Sequence, residues 1–230
     1  MNLSGKKIAV TGALGALGSV VSAVLKAAGA SVACIDHAPA DKAPPGCRGC
    51  LVIGGIDLSS PAAAATAFKS AASQLGGLDG VVNIAGGFRW EKVADGDIAT
   101  WDLMFNMNVR TAVNSIRAAL PLLKSPSARI VNVGAAGAAK AGAGMGPYAA
   151  SKAGVARLTE ALAEELKDSG VTVNAVLPST IDTPANRAEM PKAEFDRWVK
   201  PEQIGDLIVF LLSDRASAIT GALIPIMGRV

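Results

Sequence analysis

Residues 7–18 read Lys7-Ile8-Ala9-Val10-Thr11-Gly12-Ala13-Leu14-Gly15-Ala16-Leu17-Gly18. The apolar run is too short to be a helix, and the segment after it, 15–28, is apolar enough to be one. The stretch therefore predicts strand, glycine turn and helix in immediate succession. Glycine in such a turn lets backbone N–H groups approach a pyrophosphate, whose charge is favoured at a helix N-terminus. Gly12, Gly15, Leu17 and Gly18 are the candidate contacts. A glycine turn alone fits simple packing equally well, so the case depends on what surrounds it.

The next predicted strand, 31–36, ends at Asp36, about 20 residues beyond the glycines, where a carboxylate can accept both hydroxyls of a ribose. The same carboxylate repels a 2′-phosphate, and the residue after it is His37, not Arg or Lys. The pattern selects NAD over NADP. The alternative for Asp36 is a plain cap on a strand end.

Outward from this unit, strands and helices alternate. Strands are predicted at 51–53, 81–84, 129–133, 171–176 and 222–226. Helices are predicted at 61–75 (opened by Ser59 or Ser60), 98–123, 148–167, 184–199 and 201–212. Short apolar strands separated by helices imply an α/β fold of the Rossmann type, a doubly wound parallel sheet with helices on both faces. No internal repeat or linker divides the 230 residues, so 1–230 is expected to be a single domain.

Tyr148, the only tyrosine, opens Tyr148-Ala149-Ala150-Ser151-Lys152. Positions i and i+4 share a helix face, so phenol and ammonium would stand together. A neighbouring cation favours phenolate and lowers a pKa that is ordinarily about 10. Such a phenol can exchange a proton with substrate near neutral pH.

Taken in order, Thr11-Gly12…Gly18, Asp57-Leu58, Asn83-Ile84-Ala85-Gly86, Asn108, Tyr148…Lys152 and Pro178…Thr183 resemble the short-chain dehydrogenase/reductases from Lys6 to about Gly228. The resemblance implies hydride transfer between NAD(H) and a small carbonyl or alcohol substrate. Tyr148 would be the acid/base, with Lys152 binding ribose and tuning the phenol. Asn108 would bend the long helix and hold a relay water. Asp57 and Leu58 would flank adenine. Asn83, Ala85 and Gly86 would line the cofactor along the fourth strand, and Ile181 and Thr183, following Pro178, would reach the nicotinamide amide. Family members commonly pair through the long helix and the Tyr148 helix, so a homodimer or homotetramer is implied.

Three departures stand out. Ala16 replaces a glycine of the turn, with little functional effect expected. Ile84 replaces an asparagine, which suits a buried strand. Most members also carry a serine that donates to the substrate oxygen, and Ala135 occupies that position here. Losing such a donor can cost roughly 10²–10³ in rate. Dihydropteridine reductases lack the serine too, and they are similar to this chain at Cys34-Ile35-Asp36, Ala85-Gly86-Gly87-Phe88, Gly144–Tyr148 and Leu177–Arg187. Reduction of a quinonoid pterin or another C=N substrate is therefore the alternative activity. A third reading is a cofactor-binding sensor that has lost its chemistry. Phe88 and Trp90, after the fourth strand, are candidate walls of the substrate pocket. The segment 184–199 is implied to be its lid.

Composition narrows the rest. Net charge is +3, without a basic run or aromatic–basic interleaving, which argues against nucleic acid and anionic membrane. Lys6-Lys7 before an apolar stretch resembles a signal sequence, but Thr11, the glycines and Lys26 interrupt it. No window approaches the ~20 apolar residues of a membrane helix. A cytoplasmic protein is expected. Cys34, His37, Cys47 and Cys50 have a spacing that can bind zinc, yet Cys34 falls on a buried strand and His37 at the adenosine end, so no metal is expected.

Overall fold

The protein is described by a computed structural model covering residues 1–124 and 126–230. Seven strands form one all-parallel sheet: β1 (Lys7–Thr11), β2 (Ser31–Ile35), β3 (Leu51–Ile53), β4 (Gly80–Asn83), β5 (Arg129–Val133), β6 (Thr172–Pro178) and β7 (Leu223–Ile226). Their spatial order is β3-β2-β1-β4-β5-β6-β7. The chain thus builds outward in one direction from β1, then returns to β1 and builds the other way from β4. That reversal opens a crevice at the carboxyl ends of β1 and β4, where ligands of open α/β sheets bind.

Both faces of the sheet are covered, which explains strands that are apolar without alternation. Ile8 and Val10 of β1 join a core with α1 (Ala16–Ala27) and α7 (Pro201–Leu212). Ala9, pointing the other way, packs with Phe68 of α2 (Pro61–Leu75). Phe68 is fully buried, so truncation to alanine should cost about 3–5 kcal/mol. Helix α2 starts where its sequence says: the Ser60 hydroxyl accepts from the Ala63 N–H, and proline follows at the first helical position.

Two predicted helices differ from their sequence pattern. The span 98–123 is a composite: α3 (Ile98–Met104), a π-helical stretch (Phe105–Arg110), α4 (Thr111–Ala119) and a short 3₁₀ turn (Leu120–Leu122). The π stretch contains Asn108, and such bulges are frequent at functional sites. The helix expected over 184–199 ends as α6 (Pro184–Glu189), with only a 3₁₀ turn at Phe195–Arg197 beyond it. Pro191 explains the stop, since it pushes Met190 out of the helical region to φ −125°, ψ 60°. The remaining helix, α5 (Gly146–Glu165), carries Tyr148 and Lys152 on its first turns.

Candidate active site

The glycine turn is shaped by close backbone approach. Gly12 has φ +65°, and a Cβ there would come within 2.7 Å of the Ala85 backbone. A Cβ on Gly18 would stand 2.0 Å from the Gly12 carbonyl oxygen. The Thr11 hydroxyl accepts from the N–H groups of Ile84 (3.2 Å) and Ala85 (3.3 Å), tying the turn after β1 to the turn after β4. Thr11 is a residue whose structural role its sequence context did not reveal.

A cleft of about 800 Å³ runs from this turn across the carboxyl edge of the sheet. At one end lie Asp36, His37, Asp57 and Leu58; at the other lie Phe88, Tyr148 and Lys152, with Ile181 and Thr183 alongside. Gly12, Gly15, Ala16, Leu17 and Gly18 also line it, as do Ala85 and Gly86, with Ala85 packed directly against Gly12. The Asp36 carboxylate is held in place by the N–H groups of Leu14 (2.8 Å) and Ala38 (2.9 Å). The Asp57 carboxyl is pulled below its ordinary range by hydrogen bonds from Ser59. Asn114 of α4, buried, donates to the Leu58 and Ser59 carbonyls at 2.9 Å each and so anchors that loop. A lone amide on the buried face of a helix was its only sequence signal.

At the other end Lys152 is 6% exposed and donates to the Val133 carbonyl at 2.9 Å. Burial pushes the Tyr148 phenol up to about 12 and the Lys152 ammonium down to about 8. The sequence predicted the opposite direction for the phenol. The ammonium is turned to a backbone carbonyl, and desolvation is the cause that acts on the phenol. The Phe88 ring stands edge-on to Tyr148, with centroids 4.9 Å apart, and supplies part of that apolar cover.

Several expected residues sit elsewhere. Asn83 is absent from the cleft lining: its amide donates to Asn132 at 2.8 Å, and Asn132 donates to Thr159 at 2.9 Å, joining β4, β5 and α5. Ile84, expected inside the strand, lies past its end and lines the cleft. Asn108 is buried behind the wall with its side chain saturated. It exchanges two hydrogen bonds with the Gly87 backbone and donates to the Ser151 hydroxyl at 2.9 Å. Ser151 in turn donates to the Tyr148 carbonyl at 2.7 Å.

Trp90 is also off the cleft. Its indole donates to the Ala143 carbonyl at 3.0 Å and covers Gly144, bracing the loop that leads into α5. Ala135, a candidate substrate contact, is 5% exposed and absent from the cleft lining, which its neighbour Gly134 reaches instead. Pro178 pairs with Ile226 at the end of β6, outside the cleft lining.

The segment 181–200 returns on itself. Asp182 accepts from Arg187 through both oxygens (2.5 and 2.8 Å) and from Lys200 (2.6 Å), and these partners hold its carboxyl far below the usual range. Nothing in the sequence pointed to this cluster. As for the cysteines, Cys34 is buried against Ser22, and Cys47, whose thiol burial pushes up, donates to the Ala13 carbonyl. Among the described residues, no group of three or more His, Cys, Asp or Glu is placed to hold a metal, and no helix is long and apolar enough to cross a membrane.

A cradle that admits no Cβ at Gly12 or Gly18, a carboxylate fixed at one end and a tyrosine–lysine pair at the other suit a nicotinamide dinucleotide. Comparison with known proteins agrees. The profile of the family described as Enoyl-(Acyl carrier protein) reductase matches residues 12–228. The chain is 31% identical to 2-(S)-hydroxypropyl-CoM dehydrogenase 3 of Xanthobacter autotrophicus, over 98% of this chain and 96% of that one. It is 32% identical to the 3-oxoacyl-[acyl-carrier-protein] reductase FabG of Pseudomonas aeruginosa, over 99% of this chain and 98% of that one. A short chain dehydrogenase from Burkholderia cenocepacia, solved in complex with NADP, superposes with a TM-score of 0.88 at 30% identity, covering 99% of this chain and 98% of its own. With a matching profile, relatives along its whole length and the same fold, the chain belongs to the short-chain dehydrogenase/reductase family of oxidoreductases.

Proposed function

We propose that this protein is an NAD(H)-dependent reductase or dehydrogenase acting on a small carbonyl or alcohol substrate. The observation that carries the reading is the single cleft with Asp36 at one end and Tyr148 and Lys152 at the other. When bound, the nicotinamide supplies or accepts the hydride; the protein supplies position and the proton.

Asp36 argues for NAD(H). Its carboxylate faces the adenosine end, and the only Lys or Arg among the lining residues is Lys152, at the opposite end. A 2′-phosphate would meet a fixed anion and no compensating cation there. Gly12, Gly15, Leu17 and Gly18 would present backbone to the pyrophosphate, and Asp57 and Leu58 would flank adenine. Ala85, Gly86, Ile181 and Thr183 would bound the nicotinamide half.

Tyr148 is the proton donor in reduction. A phenol raised to about 12 stays protonated at neutral pH, ready to give its proton to a developing alkoxide. The Lys152 ammonium keeps two N–H groups beyond the one held by Val133; these suit ribose hydroxyls, and its charge would stabilise the phenolate left behind. Asn108 acts through others, holding Gly87 and, through Ser151, the first turn of the tyrosine helix. Pairing of two copies through α3, α4 and α5 belongs to the same proposal, and Ile98 (73% exposed) and Phe105 (52%) on that surface favour it.

Ala135 favours a second reading. Without a hydroxyl to polarise a carbonyl, a quinonoid pterin or other C=N substrate is chemically better matched. NADH and NADPH oxidation with simple ketones, imines and quinonoid dihydropterin, for wild type and Tyr148→Phe, tests both. NADH-linked ketone turnover lost in the variant supports the main reading, and turnover confined to C=N substrates supports the second. Tight NADH binding with no turnover on any of them would instead indicate a sensor.

A further inference from the structure

We infer that Asp182 is a positioning residue: its carboxylate pins both ends of the 181–200 segment and thereby holds Ile181 and Thr183 against the nicotinamide end of the cleft. The inference rests on the dinucleotide reading above. It starts from an unusual concentration of bonds on one side chain. The Asp182 side chain is 7% exposed, yet it engages two cations from different parts of the chain, Arg187 in bidentate fashion and Lys200 at 2.6 Å. Bidentate Arg–carboxylate pairs restrict orientation as well as adding energy.

The backbone around Asp182 shows what is being held. The Asp182 N–H donates to the Val199 carbonyl (2.8 Å), and the Val199 N–H donates to the Thr180 carbonyl (3.0 Å). Segment 181–200 thus leaves and returns at one neck, and the Asp182–Lys200 pair crosses it. The Arg187 pair ties in α6. On that helix the Asn186 amide donates to the Ile181 carbonyl (2.7 Å), and the Thr183 hydroxyl accepts from the Asn186 N–H (3.2 Å). Arg187 also lies 4.7 Å over the Phe195 ring, which packs on the buried Trp198. Ile181 and Thr183, the immediate neighbours of Asp182, both line the cleft. Loosening the neck would therefore displace the cleft wall on both sides of Asp182, while Asp36 keeps its own partners, the N–H groups of Leu14 and Ala38.

The test separates the two halves of the cofactor. Dissociation constants for NADH and for ADP-ribose, which lacks the nicotinamide, are measured for wild type, Asp182→Asn and Asp182→Glu, with NADH-linked kcat alongside. Displacement of a reacting group by about 1 Å can cost on the order of 100-fold in rate. Asp182→Asn should lower kcat at least tenfold and weaken NADH severalfold, leave ADP-ribose within about twofold, and recover in part in Asp182→Glu. Equal weakening of both ligands would show general structural damage and overturn the inference, as would no change in either. A wild type that binds neither ligand would overturn the cofactor reading and this inference with it. If Asp182→Asn does not fold, Arg187→Gln and Lys200→Gln, each altering a part-exposed side chain, provide the same comparison with the same deciding outcomes.

Discussion

Gly18→Ala is the most direct test of the phosphate turn. The added methyl carbon would sit 2.0 Å from the Gly12 carbonyl oxygen, 2.7 Å from the Ala13 Cα and 2.8 Å from the Gly12 carbonyl carbon. All three are backbone atoms of the turn itself, so no flexible side chain can give way. Restoring contact at about 3.4 Å requires the turn and the helix start to separate by roughly 1.4 Å. Overpacking of this kind costs about 1–3 kcal/mol, which for a chain of this size lowers the melting temperature by a few degrees to about ten. Displacing the phosphate-binding N–H groups by more than 1 Å should weaken NADH at least tenfold, or about 1.4 kcal/mol.

Gly15→Ala is the control. A Cβ at Gly15 meets only the Gly12 oxygen at 3.4 Å, and its φ of −74° suits any residue. That variant should bind NADH within about threefold of wild type, with a loss of about 0.5–1 kcal/mol of stability for replacing glycine by alanine at the helix N-cap. Isothermal titration with NADH and thermal melting measure both effects. Gly18→Ala binding as well as Gly15→Ala would refute the argument that this turn must bring backbone to the pyrophosphate.

Other consequences can be checked separately. Asp36→Asn keeps an acceptor for Leu14 but removes the charge, and should move the ratio of NADPH to NADH affinity at least tenfold toward NADPH, since charge-assisted hydrogen bonds contribute about 1.5–3 kcal/mol. An unchanged ratio would show that Asp36 does not select the cofactor. Ala135→Ser should raise kcat/KM for a ketone by on the order of tenfold or more while leaving a C=N substrate unaffected. A ketone reductase that gains nothing has replaced the serine by other means. Lys152 titrates at about 8 when folded, against an ordinary 10.5, so the unfolded chain binds more protons between those values and this group makes stability rise with pH there. Tyr148 is raised from 10 to about 12, so its contribution to stability falls with pH across that higher window. Melting of cofactor-free wild type against Lys152→Met should therefore show the wild type gaining from pH 8 to 10; no gain there would mean the ammonium is not desolvated.

Much of the fold was legible because it depends on local rules. The run from Lys7 to Gly18 announces strand, turn and helix; β3, α2 and α7 lie where apolar period, Ser60 and Pro201 place them. The elements that moved did so for specific reasons: Pro191 ends α6 early, and the helix around Asn108 widens where its amide bonds to Gly87 across the cleft wall. Gly12, Gly18, Asp36, Tyr148 and Lys152, each read from a characteristic place on its own element, line one cleft. Asn83, Ile84, Asn108 and Trp90 were placed less well, because their direction is set by partners such as Asn132, Ser151 and Ala143 in other elements.

The sequence by itself determined the order of strands and helices, the glycine turn, the acid ending β2, and a tyrosine and lysine one helical turn apart, since all of these follow from steric limits and periodicity within a short stretch of chain. Only the tertiary structure decided how far Tyr148 and Lys152 are desolvated and in which direction their protons are held. It alone gathered Arg187 and Lys200 onto Asp182, and turned Asn108 inward. Desolvation, hydrogen-bond saturation and ion pairing depend on distances between atoms remote in the chain, and packing sets those distances.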